Sequence, residues 1–363
     1  MTKFVVRRLI QAVPVLIGIS IVIYAIMLSV PGGPTQRFAN NPRITQEQRD
    51  KFLQAWGLDQ PIPVQYCRWM GLCDPDQSGL AFLTKSGVPN FLPASLGGGT
   101  NGMLHGDLGY SIDSGESVAT RIGAAALPTL ILAGTALFIW LALAILLGVI
   151  AAVRRYSLFD QAATVFSYVG FALPTFWLGL MLILIFGASL KVLPVSGMID
   201  TRLSPPFGSA QYWAYFATHS GTAIIDILRH LILPVITLVV VSIAGDSRFV
   251  RASMLEALGQ DYVRTARAKG LPGRTVVFRH ALRNALLPVV TNIGLEIPFL
   301  FSGAVITESI FSWPGMGRLF ITSVASFDYT ILMGILLIAS TLTVLANLLA
   351  DVLYAVVDPR IKY

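Results

Sequence analysis

The sequence predicts an all-α polytopic membrane protein with six transmembrane helices and a large external loop after the first helix. Three observations predict this class. Of the 363 residues, 55% are hydrophobic and only 12% are charged, and the mean hydropathy is +0.70. Long uncharged runs recur along the chain, and basic residues collect between particular runs. A soluble globular protein of this length carries more charge and less apolar surface.

The spans are predicted from apolar runs, because a helix needs about 20 such residues to cross roughly 30 Å of hydrocarbon. Four runs are bounded by charged residues: Arg8 and Arg37, Arg121 and Arg154, Asp160 and Lys191, and Asp328 and Asp351. A further span starts near His230 and runs past Asp246. Another covers about residues 286–307 and is interrupted by Glu296. Together these runs give six crossings.

The first run, residues 9–30, superficially resembles a signal peptide because basic residues precede it. It is longer than the roughly 7–15 residues of a signal-peptide core, and Pro31-Gly32-Gly33-Pro34 is not an A-x-A-like cleavage site. We therefore predict a retained first helix.

Basic residues set the predicted orientation. Between Gly245 and Asn284 there are eight Lys and Arg residues against three acidic ones, so this stretch should stay in the cytoplasm by the positive-inside rule. Six crossings then place both termini in the cytoplasm as well. The remaining basic residues on that side are Lys3, Arg7, Arg8, Arg154, Arg155, Arg360 and Lys362. The net charge of +7 therefore reflects topology and contact with membrane lipid, and we expect no nucleic-acid partner.

The chain divides into three parts. Residues 1–30 hold the N-terminal segment and first helix, residues 31–126 form an external loop or small subdomain, and residues 127–363 form the transmembrane core. Within the loop, about 45–56 is predicted as an amphipathic helix. Cys67 and Cys73 both fall here, where an oxidising compartment favours a disulfide; two unpaired thiols are the alternative.

A second external stretch, about residues 195–227, is rich in aromatic side chains. They are predicted to form an interfacial belt, with an extracellular gate as the alternative. The stretch contains Tyr212, Trp213, Tyr215 and Phe216.

Catalytic motifs are missing from the sequence. It has no G-x-x-x-x-G-K-[ST] phosphate loop, no H-E-x-x-H and no Cys/His cluster, so a membrane enzyme is a poor fit. Ionisable groups inside the bilayer are costly and so usually functional, and Glu296 is the clearest case in the sequence. Asn292, Glu296 and Phe299 share one helical face with Gly303. That face either lines a translocation path or hydrogen-bonds a neighbouring helix.

The most informative stretch, residues 261–288, places two short basic helices before the fifth span. Asp261 is predicted to cap a helix from Tyr262 to Lys269, which Gly270 ends. A second helix, about residues 274–286, would join it to the fifth span. The small Thr265-Ala266 pair would let another protein approach the backbone, with Arg264, Arg267 and Lys269 as anchors. A helix lying on anionic lipid is the alternative.

Several stretches resemble the membrane-spanning permeases of bacterial ABC importers, specifically the first subunit of the dipeptide, oligopeptide and nickel branch. The resemblance covers almost the whole chain. Its motifs are Arg7-Arg8-Leu9, Pro31-Gly32-x-Pro34, residues 57–61, Gln65-Tyr66, Gly106-Asp107-Leu108-Gly109-Tyr110-Ser111, Leu127-Pro128-Thr129-Leu130, residues 174–179, residues 230–234, residues 308–317 and Asp358-Pro359-Arg360-Ile361.

This resemblance identifies a cytoplasmic coupling segment, about residues 251–284, that inserts into a groove on a separate ATPase. The residues it implicates are Tyr262, Arg264, Thr265, Ala266, Arg267, Ala268, Lys269, Gly270 and Leu271. The match is not complete. Arg264-Thr265-Ala266 stands where the general pattern has Glu-Ala-Ala, and residues 70–105 look inserted relative to the family.

The resemblance also implies partners: a second related permease, two cytoplasmic ATPases that bind ATP and Mg²⁺, and an external solute-binding protein. No cofactor is expected in this chain. The implied location is the bacterial inner membrane. Peptides are the expected cargo, with nickel chelates, glutathione or oligosaccharides as alternatives. An ion-coupled secondary transporter is the rival from another class, and Glu296 is its only support in the sequence.

Overall fold

The computed structural model describes residues 2–29, 45, 47, 60–72, 102–286, 288, 289 and 304–357. Within these ranges the chain is helical, and its one β-type pairing is an isolated bridge between Tyr110 and Ser117. The predicted all-α class is confirmed.

Four described helices are long and apolar enough to cross a membrane. They are α1 (Thr2–Ser29), α3 (Val118–Val153), α7 (Ser220–Gly259) and α12 (Tyr329–Val357). Shorter helices lie between them: α2 (Ile62–Met70), α4 (Leu158–Ala172), α5 (Thr175–Leu182), α6 (Ala210–Thr218), α8 (Asp261–Ala268), α9 (Gly273–Thr275), α10 (Val305–Ile310) and α11 (Met316–Ala325). The predicted span 286–307 falls mostly outside the described residues.

The third predicted span is a broken helix. Helices α4 and α5 meet at an angle of 99°. Leu173 ends α4 in an extended conformation and Pro174 precedes α5. Proline disfavours helical geometry in the residue before it and supplies no N–H, which explains the break. Helix α5 continues into a wider π-helical turn, Ile183–Ser189.

Contacts divide the chain into two compact units. The larger comprises residues 1–10, 124–318 and 342–363. Its main core packs side chains of α3, α6 and α7 around Trp140, Tyr212 and Trp313. Glycines in α3 and α4 allow these helices to approach α7 closely. A Cβ at Gly148 would lie 2.7 Å from Val250 Cβ, and one at Gly170 would lie 3.2 Å from the Val240 carbonyl oxygen.

Tyr212 is a core residue, which corrects its prediction as part of an interfacial belt. Only 1% of it is exposed, whereas the adjacent Trp213 is 46% exposed. Burial raises the pKa of the Tyr212 phenol, and the nearby Asp226 carboxylate raises it further. The Asp226 carboxylate also accepts a hydrogen bond from the Asp200 backbone N–H at 2.8 Å, which holds the 195–209 loop against α7.

The smaller unit comprises residues 11–123 and 319–341. The Ser20 and Tyr66 hydroxyls lie 2.7 Å apart, and Tyr24 donates to Gln65 Oε1 at 3.1 Å. Helix α2 therefore packs on α1 through the Gln65-Tyr66 motif. In the same unit, buried Asp328 accepts hydrogen bonds from the Ser111 hydroxyl and the Ile112 N–H, which joins residues 106–111 to the start of α12.

Several predictions fall on residues outside the described ranges. These are the helix at 45–56, most of the 70–105 insertion, and the face formed by Asn292, Glu296 and Phe299. Cys67 lies in α2, but Cys73 is outside these ranges, so the disulfide stays a prediction.

Candidate functional site

The coupling segment contains a short amphipathic helix, α8, that follows α7 after an extended residue, Gln260. Val263 and Ala266 are buried. The other helical residues of α8 are exposed, as are Lys269, Gly270 and Leu271. One narrow face therefore holds the helix to the protein, and the broad opposite face is open.

Gly270 ends the helix as predicted. Its φ is +74°, in the left-handed region that glycine adopts without strain. The Gly270 N–H donates to the Arg267 carbonyl at 2.9 Å, and the Leu271 N–H donates to the Ala266 carbonyl at 3.3 Å. These two bonds form a Schellman motif, which satisfies carbonyls at the helix end. The chain then turns sharply into α9.

Asp261 does not cap α8, so that prediction is wrong. Gln260 occupies the capping position without a side-chain hydrogen bond, and Asp261 is the first helical residue. The Asp261 carboxylate instead lies 3.5 Å from Arg264, and both side chains are well exposed. Such a surface pair contributes little to stability. A carboxylate in the first turn still interacts favourably with the helix dipole.

The small Thr265-Ala266 pair, which is predicted to let another protein approach the backbone, is divided between the two faces of α8. Ala266 is only 5% exposed and packs in the chain's own core. Thr265 is exposed and donates to the Asp261 carbonyl at 2.9 Å. The surface available to another protein is therefore formed by Tyr262, Arg264, Thr265, Arg267, Ala268, Lys269 and Leu271.

An apolar cluster fastens α8 to the spans. It brings together buried side chains from the ends of α3 and α7, from α8, and from the helical stretch that follows α9. Its buried members are Val149, Ala152, Val250, Met254, Ala257, Val263, Ala266, Val276, Ala281, Ala285 and Val289. The side chains of α8 therefore share one close-packed core with the ends of α3 and α7.

Two sequence motifs meet at a second site in the larger unit. The Trp313 indole N–H donates to the Pro128 carbonyl at 2.8 Å. The Thr129 hydroxyl donates to Glu308 Oε1 at 2.8 Å and accepts from the Met316 N–H at 2.8 Å. The 127–130 and 308–317 motifs of the resemblance thus form one buried contact.

Sequence reasoning missed two polar contacts within the larger unit. Trp140 Nε1 donates to Asp246 Oδ2 at 2.9 Å, and Asp160 pairs with Arg251 through two hydrogen bonds of 2.6 and 2.8 Å. In the sequence, Asp160 marks a span boundary, Asp246 lies within a predicted span, and Arg251 contributes to the basic charge of residues 245–284. The available signal was local: Ser157 and Asp160 have the spacing of a helix start, and Ser157 does cap α4.

Apolar spans, a broken helix pair and a basic helix seated on the ends of two spans define a polytopic membrane protein of the transport permease class. The chain belongs to the family described as binding-protein-dependent transport system inner membrane component, whose model matches residues 144–363. The model of the family's N-terminal region matches residues 1–77.

Named relatives are similar over their full length. The chain is 37% identical over 364 residues to the oligopeptide transport system permease protein AppB of Bacillus subtilis, covering 100% of both. It is 37% identical to the dipeptide transport system permease protein DppB of Escherichia coli, covering 100% of this chain and 99% of that protein. It is 36% identical to the di/tripeptide permease DppB of Pseudomonas aeruginosa, with the same coverage.

Proposed function

We propose that this chain is a membrane-spanning subunit of an ATP-driven importer that carries di- or oligopeptides into the cytoplasm. Family membership supports a transport role, and the names of the relatives support peptides as the cargo. The observation that carries the mechanism is the open basic face of α8, which is fastened through Val263 and Ala266 to the ends of α3 and α7.

The energy source is proposed to lie in other chains. Two cytoplasmic ATPases, which bind ATP and Mg²⁺, would contact the open face of α8 in this subunit and in a second related permease. An external solute-binding protein would deliver the peptide. This chain itself would carry no catalytic site. It would sit in the bacterial inner membrane with both termini in the cytoplasm.

The proposed mechanism is mechanical. When the ATPases close on ATP, they would draw the coupling helices of the two permeases together. The apolar cluster would pass that displacement to α3 and α7, because these helices share one close-packed core with α8. Differential binding of the ATPases to one arrangement is what shifts the transporter between inward-facing and outward-facing states.

The test reverses charge on the open face of α8. We expect Arg264→Glu combined with Arg267→Glu to reduce co-purification of the ATPase by roughly tenfold or more, since a basic face is complementary to an acidic partner surface and the introduced carboxylates would place like charges against it. ATP-dependent peptide uptake in vesicles should fall with it. Arg202→Glu is the matched control, because Arg202 is an exposed arginine on a loop that is predicted to be external.

Two results would count against the proposal. Undiminished ATPase binding by the double variant would remove α8 as the coupling helix. Uptake that collapses with a protonophore and persists without ATP would favour an ion-coupled secondary transporter. Mass spectrometry of ligands on the co-purified binding protein separates peptides from nickel chelates, glutathione and oligosaccharides.

A further inference from the structure

An ion pair between Arg251 and Asp160 joins the start of the coupling segment, at the end of α7, to α4. Arg251 Nε donates to Asp160 Oδ1 at 2.6 Å, and Arg251 Nη2 donates to Asp160 Oδ2 at 2.8 Å. The Asp160 side chain is 5% exposed and that of Arg251 is 28% exposed. A two-point contact between a guanidinium and a carboxylate fixes orientation as well as distance. The two residues are 91 positions apart in the chain.

The start of α4 and the turn before it hold the Asp160 carboxylate in place. Asp160 lies in the first turn of α4, where Ser157 caps the helix. Its Oδ2 also accepts a hydrogen bond from the Tyr156 N–H at 2.9 Å. Tyr156 has a φ of 64°, an uncommon conformation for a residue with a side chain. The link between α3 and α4 is therefore shaped around this carboxylate.

The guanidinium belongs to the segment that would receive force. Arg251 lies near the C-terminal end of α7, between Val250 and Met254, which are both buried in the cluster with α8. Movement of α8 therefore reaches Arg251 through packed side chains. Asp160 lies in the first turn of α4. Helix α4 then leads to the 99° break before α5. The ion pair is thus a polar connection from the coupling segment to the broken span.

We propose that Asp160 and Arg251 are positioning residues that make α4 follow the coupling segment during the transport cycle. This inference rests on the proposed function, because it assigns a role only if α8 receives force from an ATPase. The two-point ion pair adds a fixed orientation and spacing between α4 and α7 to the contact made by their packed side chains. The pair would let ATP hydrolysis drive the broken span in step with α7.

The experiment measures coupling in the assembled complex. The full importer, with both permeases, its ATPases and its binding protein, is reconstituted in liposomes. Peptide uptake and ATP hydrolysis are measured in the same sample for Asp160→Asn and Arg251→Gln. We expect the peptide imported per ATP hydrolysed to fall by about fivefold or more, taking the lower end of the range for coupling between two binding sites as the guide. A purely structural role would lower both rates together and leave the ratio unchanged.

Glu116→Gln is the matched control. It breaks another arginine–carboxylate contact, Arg121 with Glu116 at 3.7 Å, whose side chains are 29% and 65% exposed. That pair is solvated and lies outside the coupling segment, so the ratio should stay at the level of the unmodified chain. Arg251→Lys gives an intermediate case, because an ammonium group cannot reproduce the two-point contact of a guanidinium.

Each outcome decides the matter. An unchanged ratio in assembled Asp160→Asn and Arg251→Gln complexes overturns the proposal. If those variants fail to assemble, Arg251→Lys keeps the opposite charges without the two-point contact; a reduced ratio in it supports the proposal and a normal ratio overturns it. An unmodified complex that shows no ATP-dependent uptake overturns the proposed function instead, so the two failures are distinguishable.

Discussion

Thr129 shows how one side chain can connect distant sequence motifs. Its hydroxyl donates to Glu308 and accepts from the Met316 N–H, and it is 1% exposed. Thr129→Val keeps the shape but leaves a buried carboxylate oxygen and a buried N–H without this partner. We expect a loss of about 1–3 kcal/mol in the free energy of unfolding, measured as a lower thermal unfolding midpoint of the purified protein.

Thr129→Ser is the control for that prediction, because it retains the hydroxyl and removes only a methyl group. The serine variant should unfold much closer to the unmodified protein than the valine variant. Equal midpoints for the two variants would show that the hydroxyl contributes nothing to this contact.

The role of a single residue is predictable from the sequence where it depends only on that residue's own backbone conformation. Gly270 is such a case, because only the left-handed conformation turns the chain there and glycine adopts it freely. The capping role predicted for Asp261 is wrong, and the burial of Ala266 was not predicted. Both depend on more than the backbone of one residue. Whether Gln260 or Asp261 starts α8, and which face of α8 is buried, depends on packing against α3 and α7. A short helix does not specify that packing by itself.

At the scale of elements, the contact between α3 and α7 depends on a glycine. A Cβ at Gly148 would lie 2.7 Å from Val250 Cβ and 2.8 Å from the Ser247 carbonyl oxygen, so either α7 or the side chain must move. We expect Gly148→Ala to destabilise the protein by about 1–3 kcal/mol, the usual cost of overpacking. Thermal unfolding in detergent measures it.

Gly134→Ala is the comparison within the same helix. A Cβ at Gly134 would meet nothing within 4 Å, and alanine favours helix over glycine by roughly 1 kcal/mol. This variant should therefore be as stable as the unmodified protein or more so. If both alanine variants behave alike, the close approach of α3 and α7 at Gly148 is wrong.

Elements were predicted best where hydropathy alone defines them. The runs that contain α1, α3, α7 and α12 were all found, because apolar length is the requirement for crossing a bilayer. The third run was found as well, but its composition is continuous across Leu173 and Pro174 and does not show how sharply the helix bends there. A proline inside a span is often tolerated, as Pro128 and Pro234 are in α3 and α7. Only the tertiary structure distinguishes a tolerated proline from a break of 99°.

At the scale of the whole molecule, the sequence predicted the class and the family but not the internal connections. Charge distribution and ordered motifs sufficed for the permease class, because they report topology and ancestry. The Asp160–Arg251 and Thr129–Glu308 contacts join residues 91 and 179 positions apart. No local pattern encodes such pairs, so these two contacts are evident only in the tertiary structure.

Every functional proposal requires one orientation in the membrane, since α8 reaches an ATPase only from the cytoplasm. The positive-inside rule predicts that Lys269 lies in the cytoplasm and that the 195–227 stretch, with Arg202, lies outside. Lys269→Cys and Arg202→Cys can each be introduced into a chain carrying Cys67→Ser and Cys73→Ser. A membrane-impermeant maleimide should then label the Lys269→Cys protein only in inverted vesicles and the Arg202→Cys protein only in intact spheroplasts. Both positions are exposed in this chain, so burial would not prevent labelling once the permease is produced without its ATPases, and the opposite pattern would place α8 beyond the reach of any cytoplasmic ATPase.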